Sequence, residues 1–172
     1  VLPDDIIMSQ VPVLKQMKDV HQALGASVLA LMEVPRERIG AYGVVEAEPH
    51  PYAGAEGRLY KLRGMVEKPA PGTAPSNLAV IGRYILSPTV LKNLDNATTG
   101  AGGEIQLTDA IAKQIEQENN VYGYRFQGQR FDCGSKAGFL QATVAFGLAR
   151  EDLRDELEDY IYDMMAMRQA AE

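Results

Sequence analysis

The feature that most constrains the fold is a near-continuous apolar run at residues 27–34, which ends at Pro35. An apolar run of this length, without polar alternation, is typical of a strand buried on both faces of a sheet. In residues 11–24, which precede it, apolar side chains recur at helical spacing up to Gly25, a residue suited to end a helix. We interpret residues 1–2 as the end of an earlier buried strand, so the chain is predicted to begin as strand, helix and strand.

The rest of the chain continues this alternation of strands and helices. Alternation of this kind predicts an α/β fold with a mixed, mostly parallel sheet, helices on both faces, and ligands at the carboxyl ends of strands. The apolar patterns and capping signals predict strands at residues 42–46, 58–67, 77–86 and 121–126, and helices at residues 88–94, 104–118, 136–150 and from residue 153 onward.

Composition excludes several classes of protein. The chain has 172 residues, of which 46% are hydrophobic and 23% charged, which predicts one soluble globular domain rather than a disordered chain. The net charge of −6, without a Lys/Arg cluster, argues against a nucleic-acid partner. No apolar run is long enough to span a bilayer, so no membrane partner is expected. A single cysteine, Cys133, excludes an intramolecular disulfide and favours a cytoplasmic location.

Aspartates occur where elements of the predicted sheet meet their loops. Asp4 and Asp5 follow the first apolar residues, and Asp132 lies in a tight turn before the helix at residues 136–150. Carboxylate oxygens suit Mg²⁺, which usually takes only one or two protein carboxylates. The alternative is that these aspartates cap the helices that follow them. The residues alone leave both interpretations open.

Three further residues are of types, and at positions, that suit contact with a ligand. Glu67 and Lys68 end a predicted strand before Pro69, and they offer an acceptor for a hydroxyl and a cation for a phosphate. Their alternative role is a solvated ion pair at a sheet edge. Gly43 allows a backbone to approach a ligand closely, although a glycine in a strand more often marks a bulge or a bend.

A glycine-rich segment at residues 100–103 leads into the helix predicted at residues 104–118. Glycine loops before helices bind phosphate, but Glu104 in the first turn would repel an anion. We therefore interpret this segment as the structural start of a helix, with Glu104, Gln106 and Asp109 near a sugar or a subunit contact.

Seven short motifs occur together in one order along the chain. They are Leu-Pro-Asp-Asp at 2–5, Tyr-Gly-Val-Val at 42–45, Val-Glu-Lys-Pro at 66–69, Ala-Pro-Ser-Asn-Leu-Ala-Val at 74–80, Gly-Arg-Tyr-Ile-Leu at 82–86, Gly-Glu-Ile-Gln-Leu-Thr-Asp-Ala-Ile at 103–111 and Asp-Cys-Gly-Ser-Lys at 132–136. Together they resemble the bacterial UTP:glucose-1-phosphate uridylyltransferase family, and the resemblance extends to about residue 150.

The resemblance implies a Rossmann-like nucleotide-diphospho-sugar transferase fold and gives roles to matching positions. It implies Mg²⁺ as the cofactor, with Asp5 as a neighbour of the metal site rather than a ligand. The implied roles are Asp4 and Asp132 as metal ligands, Glu67 as acceptor for glucose hydroxyls, Lys68 as the group that holds the sugar phosphate, Gly43 and Val80 as lining of the glucose pocket, and Lys136 as added charge near the phosphates.

The resemblance also implies a reaction and an organisation. UTP and glucose-1-phosphate would form UDP-glucose and pyrophosphate, in a homo-oligomer. The triphosphate-binding loop and the uracil pocket of the family would lie upstream of residue 1, so this chain would correspond to the C-terminal two-thirds of a family member. Residues 1–150 would be the sugar-phosphate and metal-binding part, and residues 151–172 a helical extension. Alternatives are a related transferase that uses dTTP, ATP or another hexose, and a non-catalytic sugar-nucleotide-binding module.

Overall fold

The computed structural model describes residues 1–55, 57–97 and 105–170. These residues form two compact units: unit 1 comprises Val1–Leu2 and Ser9–Gly128, and unit 2 comprises Pro3–Met8 and Gln129–Glu172. In chain order the elements are β1 (Asp5–Met8), α1 (Val13–Leu24), β2 (Ser27–Glu33), a 3₁₀ turn (Ile39–Ala41), β3 (Gly43–Pro49), β4 (Leu59–Glu67), β5 (Leu78–Ile85), α2 (Pro88–Asp95), α3 (Leu107–Glu118), β6 (Val121–Arg125), β7 (Gln129–Asp132), α4 (Lys136–Leu148) and α5 (Arg154–Gln169).

In unit 1, five strands close on one another in the order β2-β5-β3-β4-β6. Only the β2–β6 pair is parallel, and the other pairs are antiparallel. The prediction of a mostly parallel sheet is therefore wrong. The connection at residues 50–58 is one physical reason: it is too short for a crossover with a helix, and it joins β3 to β4 as an antiparallel hairpin.

The core of unit 1 confirms the predictions made from periodicity. Residues 27–31 of β2 are all buried, as expected for a strand covered on both faces. Helix α1 buries Val13, Met17 and Val20, and it ends at Gly25, whose φ of 61° is left-handed. Helix α3 contacts β4 and β6 and completes the core through Ile111 and Ile115.

Unit 2 contains a strand pair that the sequence did not predict. Strand β7 pairs antiparallel with β1, with Asp5 opposite Asp132, and α4 contacts both β7 and α5. The strand predicted to end at residue 2 is wrong, since Val1 and Leu2 lie outside a strand and β1 begins only at Asp5. The separate extension proposed for residues 151–172 stays a prediction. In the part of the chain that is described, no helix has the length and apolarity needed to cross a membrane.

Candidate functional site

In unit 1, a glycine and a glutamate lie opposite each other where two strands meet. Gly43 begins β3, Glu67 ends β4, and the two residues are cross-strand partners. A Cβ on Gly43 would lie 2.8 Å from Cε of Met65, 3.0 Å from Oε2 of Glu67 and 3.3 Å from Cγ2 of Thr108. Glycine thus leaves space beside the carboxylate that any other residue would occupy. The strand irregularity lies between Glu46 and Ala47, so the alternative that Gly43 marks a bulge is wrong.

Lys68, the residue after β4, has an unusual backbone. Its φ is 45°, in the left-handed region that residues other than glycine rarely adopt, and the following Pro69 also disfavours helical backbone at this position. The Lys68 N–H donates to the carbonyl of Tyr42 at 3.0 Å and holds this conformation. Strain of this kind costs about 1–3 kcal/mol and is concentrated at functional sites.

The side chains of Lys68 and Glu67 form a loose pair. Nζ of Lys68 lies 3.9 Å from Oε1 of Glu67, with 68% of the lysine side chain and 29% of the glutamate side chain exposed. An exposed ion pair at this distance contributes little to stability. The strained backbone therefore favours a role for Lys68 beyond that ion pair. Gly43, Glu67 and Lys68 are called the strand-end group below.

Thr108 on α3 is a candidate that the sequence did not reveal. Its Cγ2 methyl lies 3.3 Å from the position that a Cβ on Gly43 would take, and its hydroxyl is buried without a hydrogen-bond partner among the described residues. A buried hydroxyl without a hydrogen-bond partner is uncommon in proteins, and it makes Thr108 a candidate ligand contact. The sequence prediction instead named three neighbours: Glu104, which lies outside the described residues, Gln106, which precedes α3 without a side-chain cap bond, and Asp109, which is exposed in its first turn.

Val80 lies on β5 opposite Leu31 of β2. Its side chain belongs to the hydrophobic core and is only 7% exposed. The structure thus gives Val80 a packing role, and its contact with a sugar stays a prediction.

In unit 2, the β1–β7 pair brings Asp4 and Asp132 together. The N–H of Cys133 donates to the carbonyl of Asp4 at 2.8 Å, and this bond extends the strand pair to the turn. Oδ2 of Asp4 and Oδ1 of Asp132 each lie 3.2 Å from the position that a Cβ on Gly134 would take. Two residues more than a hundred positions apart in the chain thus point carboxylate oxygens at one place. They are called the aspartate pair below.

The capping alternative for these aspartates is wrong. Helix α4 is capped by Ser135, whose Oγ accepts the N–H of Gly138 at 3.0 Å. The Asp132 side chain instead accepts the N–H of Gly134 at 3.2 Å, within its own turn. Helix α1 follows Pro12 and has no side-chain cap. The carboxylates of Asp4 and Asp132 are therefore available for another role.

The carboxylate oxygens of the aspartate pair suit a hard cation that takes few ligands from the protein. Across residues 1–55, 57–97 and 105–170, no group of three or more His, Cys, Asp or Glu side chains is arranged to hold a metal. Two carboxylates match Mg²⁺, which binds one or two carboxylates together with waters and substrate phosphates. Lys136 is exposed at the start of α4, in a shallow depression that Cys133, Gly134 and Ser135 also line.

A larger depression of ≈ 560 Å³ in unit 1 contains none of the predicted site residues. It lies between the segment after β2 and the segment before β5, and its lining includes Arg36, Ile39 and Asn77. We assign no role in the site to it, because concavity alone does not identify a ligand.

These features define a class: an α/β protein with a carboxylate pair suited to a hard cation and with an acceptor and a cation together at a strand end. The chain belongs to the nucleotidyl transferase family, which matches residues 1–147.

The chain is similar to UTP–glucose-1-phosphate uridylyltransferases. It is 39% identical to that of Bacillus subtilis (strain 168) over 164 residues, which are 95% of this chain and 54% of the relative. It is 42% identical to that of Staphylococcus epidermidis over 160 residues, which are 93% of this chain and 54% of the relative. The chain thus spans about half the length of the curated relatives it matches.

Solved structures give the same result. A UDP-glucose pyrophosphorylase complexed with UDP-glucose is 41% identical with a TM-score of 0.79, over 87% of this chain and 56% of that chain. A UTP-bound UGPase from Acinetobacter baumannii is 37% identical with a TM-score of 0.80, over 94% of this chain and 54% of that chain. The fold is therefore the α/β fold of nucleotide-sugar transferases.

Proposed function

We propose that the gene product transfers a uridylyl group from UTP to glucose-1-phosphate, forming UDP-glucose and pyrophosphate. A phosphate oxygen of glucose-1-phosphate attacks the α-phosphorus of UTP in line. The bond from the α-phosphorus to the bridging oxygen breaks, and its electron pair leaves with pyrophosphate. This substitution needs no covalent enzyme intermediate, so the protein contributes positioning and charge neutralisation.

The main support for this proposal is that residues from separate uridylyltransferase-like motifs lie close together in the fold. Residues from distant motifs converge as the aspartate pair, and residues of two others form the strand-end group. Both groups lie in a chain about 40% identical to uridylyltransferases. Substituted aspartates or a bulky residue at Gly43 would have argued against this function.

The strand-end group is assigned to the sugar. Glu67 accepts hydrogen bonds from glucose hydroxyls, because an ionised carboxylate is a strong acceptor for them. The lack of a side chain at Gly43 lets the sugar approach the backbone there, and Lys68 carries the cation for the sugar phosphate. Val80 and Lys136 are assigned, respectively, to the wall of the sugar pocket and to charge near the phosphates.

The aspartate pair is assigned to magnesium. When bound, Mg²⁺ supplies neutralisation of phosphate charge. Asp4 and Asp132 hold the cation through their carboxylate oxygens, which β1, β7 and the turn at Gly134 keep directed at one place.

The test is a pyrophosphate-release assay on the full gene product, with glucose-1-phosphate and each nucleoside triphosphate, with and without Mg²⁺. We expect release that requires the metal and is selective for UTP. Selectivity for dTTP or ATP, or for another hexose phosphate, would identify a related transferase instead. No release with any triphosphate would contradict the enzyme assignment and favour a non-catalytic binding module.

Substitution of Lys68 tests the sugar-phosphate assignment. We expect Lys68→Ala and Lys68→Gly each to raise the KM for glucose-1-phosphate about tenfold or more, because a charge-assisted contact is lost. Glycine relieves the left-handed backbone, so the glycine variant is expected to be about 1 kcal/mol more stable than the alanine variant. Steady-state kinetics and urea unfolding measure the two effects. Lys18→Ala, at an exposed position of α1, is the control, and an unchanged KM in both Lys68 variants would remove Lys68 from the site.

The gene product is further proposed to be a cytoplasmic homo-oligomer. Helix α5 supports self-association, because none of its residues is buried. Its exposed side chains include Tyr162 at 77% and Met167 at 72%, and large apolar side chains exposed in this way are suited to a subunit contact. Light scattering coupled to gel filtration measures the assembly, and a monomer at micromolar concentration would contradict it.

A further inference from the structure

Asp5, the neighbour of the proposed metal ligand Asp4, is the one buried carboxylate among the described residues, with 5% of the residue exposed. It forms an ion pair with Nε of Arg130 across the β1–β7 pair. The side chains are 7% and 11% exposed, respectively. Burial of both charges is costly, and such pairs seldom add net stability. Stability therefore does not explain why the Asp5–Arg130 pair is buried at this position.

Arg130 lies beside the aspartate pair. Its Nη2 is 3.9 Å from Oδ2 of Asp132, on the same strand, while its Nε contacts Asp5. A separation of 3.9 Å is too long for a hydrogen bond but short enough for strong electrostatic attraction. The guanidinium thus lies between two carboxylates and makes its close contact with Asp5.

The two oxygens of Asp132 face different partners. Oδ2 is the oxygen nearest Arg130, whereas Oδ1 accepts the Gly134 N–H and lies toward Asp4. A guanidinium that moved closer to Asp132 would place a positive charge on the carboxylate that is proposed to hold the metal. Like charges in one small site repel strongly where water is partly excluded.

The net charge of the three aspartates and Arg130 is opposite and equal to that of a divalent cation. Asp4, Asp5 and Asp132 contribute three negative charges and Arg130 one positive charge, which leaves a net charge of −2. Without the charge of Asp5, the net charge of the cluster is −1 instead of −2. The positive charge of the Arg130 guanidinium is then no longer neutralised by its closest carboxylate.

We propose that Asp5 is a positioning residue for the metal site: it engages Arg130 and keeps the guanidinium from competing with the divalent cation for Asp132. The inference rests on the proposed function, in that Asp4 and Asp132 hold the cation. It gives Asp5 a role without making it a metal ligand.

The test is titration of the full gene product with Mn²⁺, followed by electron paramagnetic resonance, without nucleotide or sugar. We expect Asp5→Asn to weaken Mn²⁺ binding about tenfold or more, because Arg130 then competes for Asp132. We expect Asp5→Asn combined with Arg130→Gln to restore the affinity to within about threefold of the parent, because the competing cation is gone. If Asp5 were itself a ligand, the second substitution would not restore binding, and the proposal would be overturned.

The single variant Arg130→Gln gives a second and independent test. Asp5→Asn leaves a buried guanidinium without its carboxylate and can therefore lose stability, which thermal unfolding of each variant detects. Arg130→Gln removes the competing cation directly, so it is expected to bind Mn²⁺ at least as tightly as the parent. Binding weakened by about threefold or more would overturn the proposal, since Arg130 would then support the metal site rather than compete with the metal.

Two controls separate this inference from the proposed function. Asp152→Asn removes the carboxylate of an exposed pair with Arg150 in the same unit, at 2.6 Å, and should leave Mn²⁺ binding unchanged. Asp132→Asn should weaken Mn²⁺ binding about 100-fold or more, because a proposed metal ligand loses its charge. A parent that binds no Mn²⁺, or an Asp132→Asn variant that binds normally, would refute the metal site itself. If both behave as expected and Asp5→Asn alone has no effect, only the role of Asp5 is refuted.

Discussion

Asp132→Asn is expected to slow metal-dependent pyrophosphate release by the gene product about 100-fold or more, because a metal site contributes several kcal/mol of charge stabilisation. Asparagine keeps the size of the side chain and an oxygen that can accept the Gly134 N–H. The fold should therefore survive, and the loss should reflect the missing charge. Initial rates measured over a range of Mg²⁺ concentrations give the result.

The shape of the metal dependence makes this prediction specific. Weaker metal binding should move the half-saturating Mg²⁺ concentration upward, so excess Mg²⁺ should recover part of the rate. Asp152→Asn is the matched control, because it removes the same charge from an exposed ion pair of unit 2. An Asp132→Asn variant with the rate and metal dependence of the parent would exclude Asp132 from the metal site.

Gly138→Ala is expected to destabilise unit 2 by about 3 kcal/mol, at the upper end of the usual cost of overpacking. Gly138 lies in the first turn of α4, where a Cβ would be 2.0 Å from the carbonyl oxygen and 2.7 Å from the carbonyl carbon of Asp132. Both atoms belong to the backbone, so no side-chain rotation relieves the clash. The turn that holds Asp132 must shift, and Mg²⁺ binding should weaken as well.

The measurement is urea unfolding followed by circular dichroism, with Gly147→Ala as the matched control in the same helix. A Cβ on Gly147 meets only the end of the Leu157 side chain, at 2.6 Å, which can move. Alanine also favours a helix over glycine by about 1 kcal/mol, so the control should be close to neutral. Equal stability of the two variants would show that the close packing of α4 against the Asp132 turn is not required.

The local elements were largely predictable from the sequence because their signals are local. The helical spacing and Gly25 predicted α1, and the apolar run at residues 27–34 predicted β2 with its full burial. Strand β7 was missed because Gln-Arg-Phe-Asp contains one apolar residue and no alternation. It is a strand because β1, more than a hundred positions earlier, pairs with it.

For the candidate site residues too, some facts were predictable from the sequence and others were decided only by the structure. Motif order drew attention to Asp4, Asp132, Gly43, Glu67 and Lys68, but the pattern left helix capping and a bulge as open alternatives. Only the structure decided between them, since a cap or a bulge is defined by which N–H meets which oxygen. The sequence carried no signal that Asp5 meets Arg130 or that the Thr108 hydroxyl is buried, because both facts depend on contacts between distant segments.

The sequence by itself determined the alternation of helices and strands, the buried strand β2 and the family, because side-chain periodicity and short motifs are properties of neighbouring residues. The tertiary structure decided strand direction, the closed strand order of unit 1 and the meeting of Asp4 with Asp132. These features follow from loop length and from pairing between residues far apart in the chain, where many alternatives have similar local energies and only the packed core selects one.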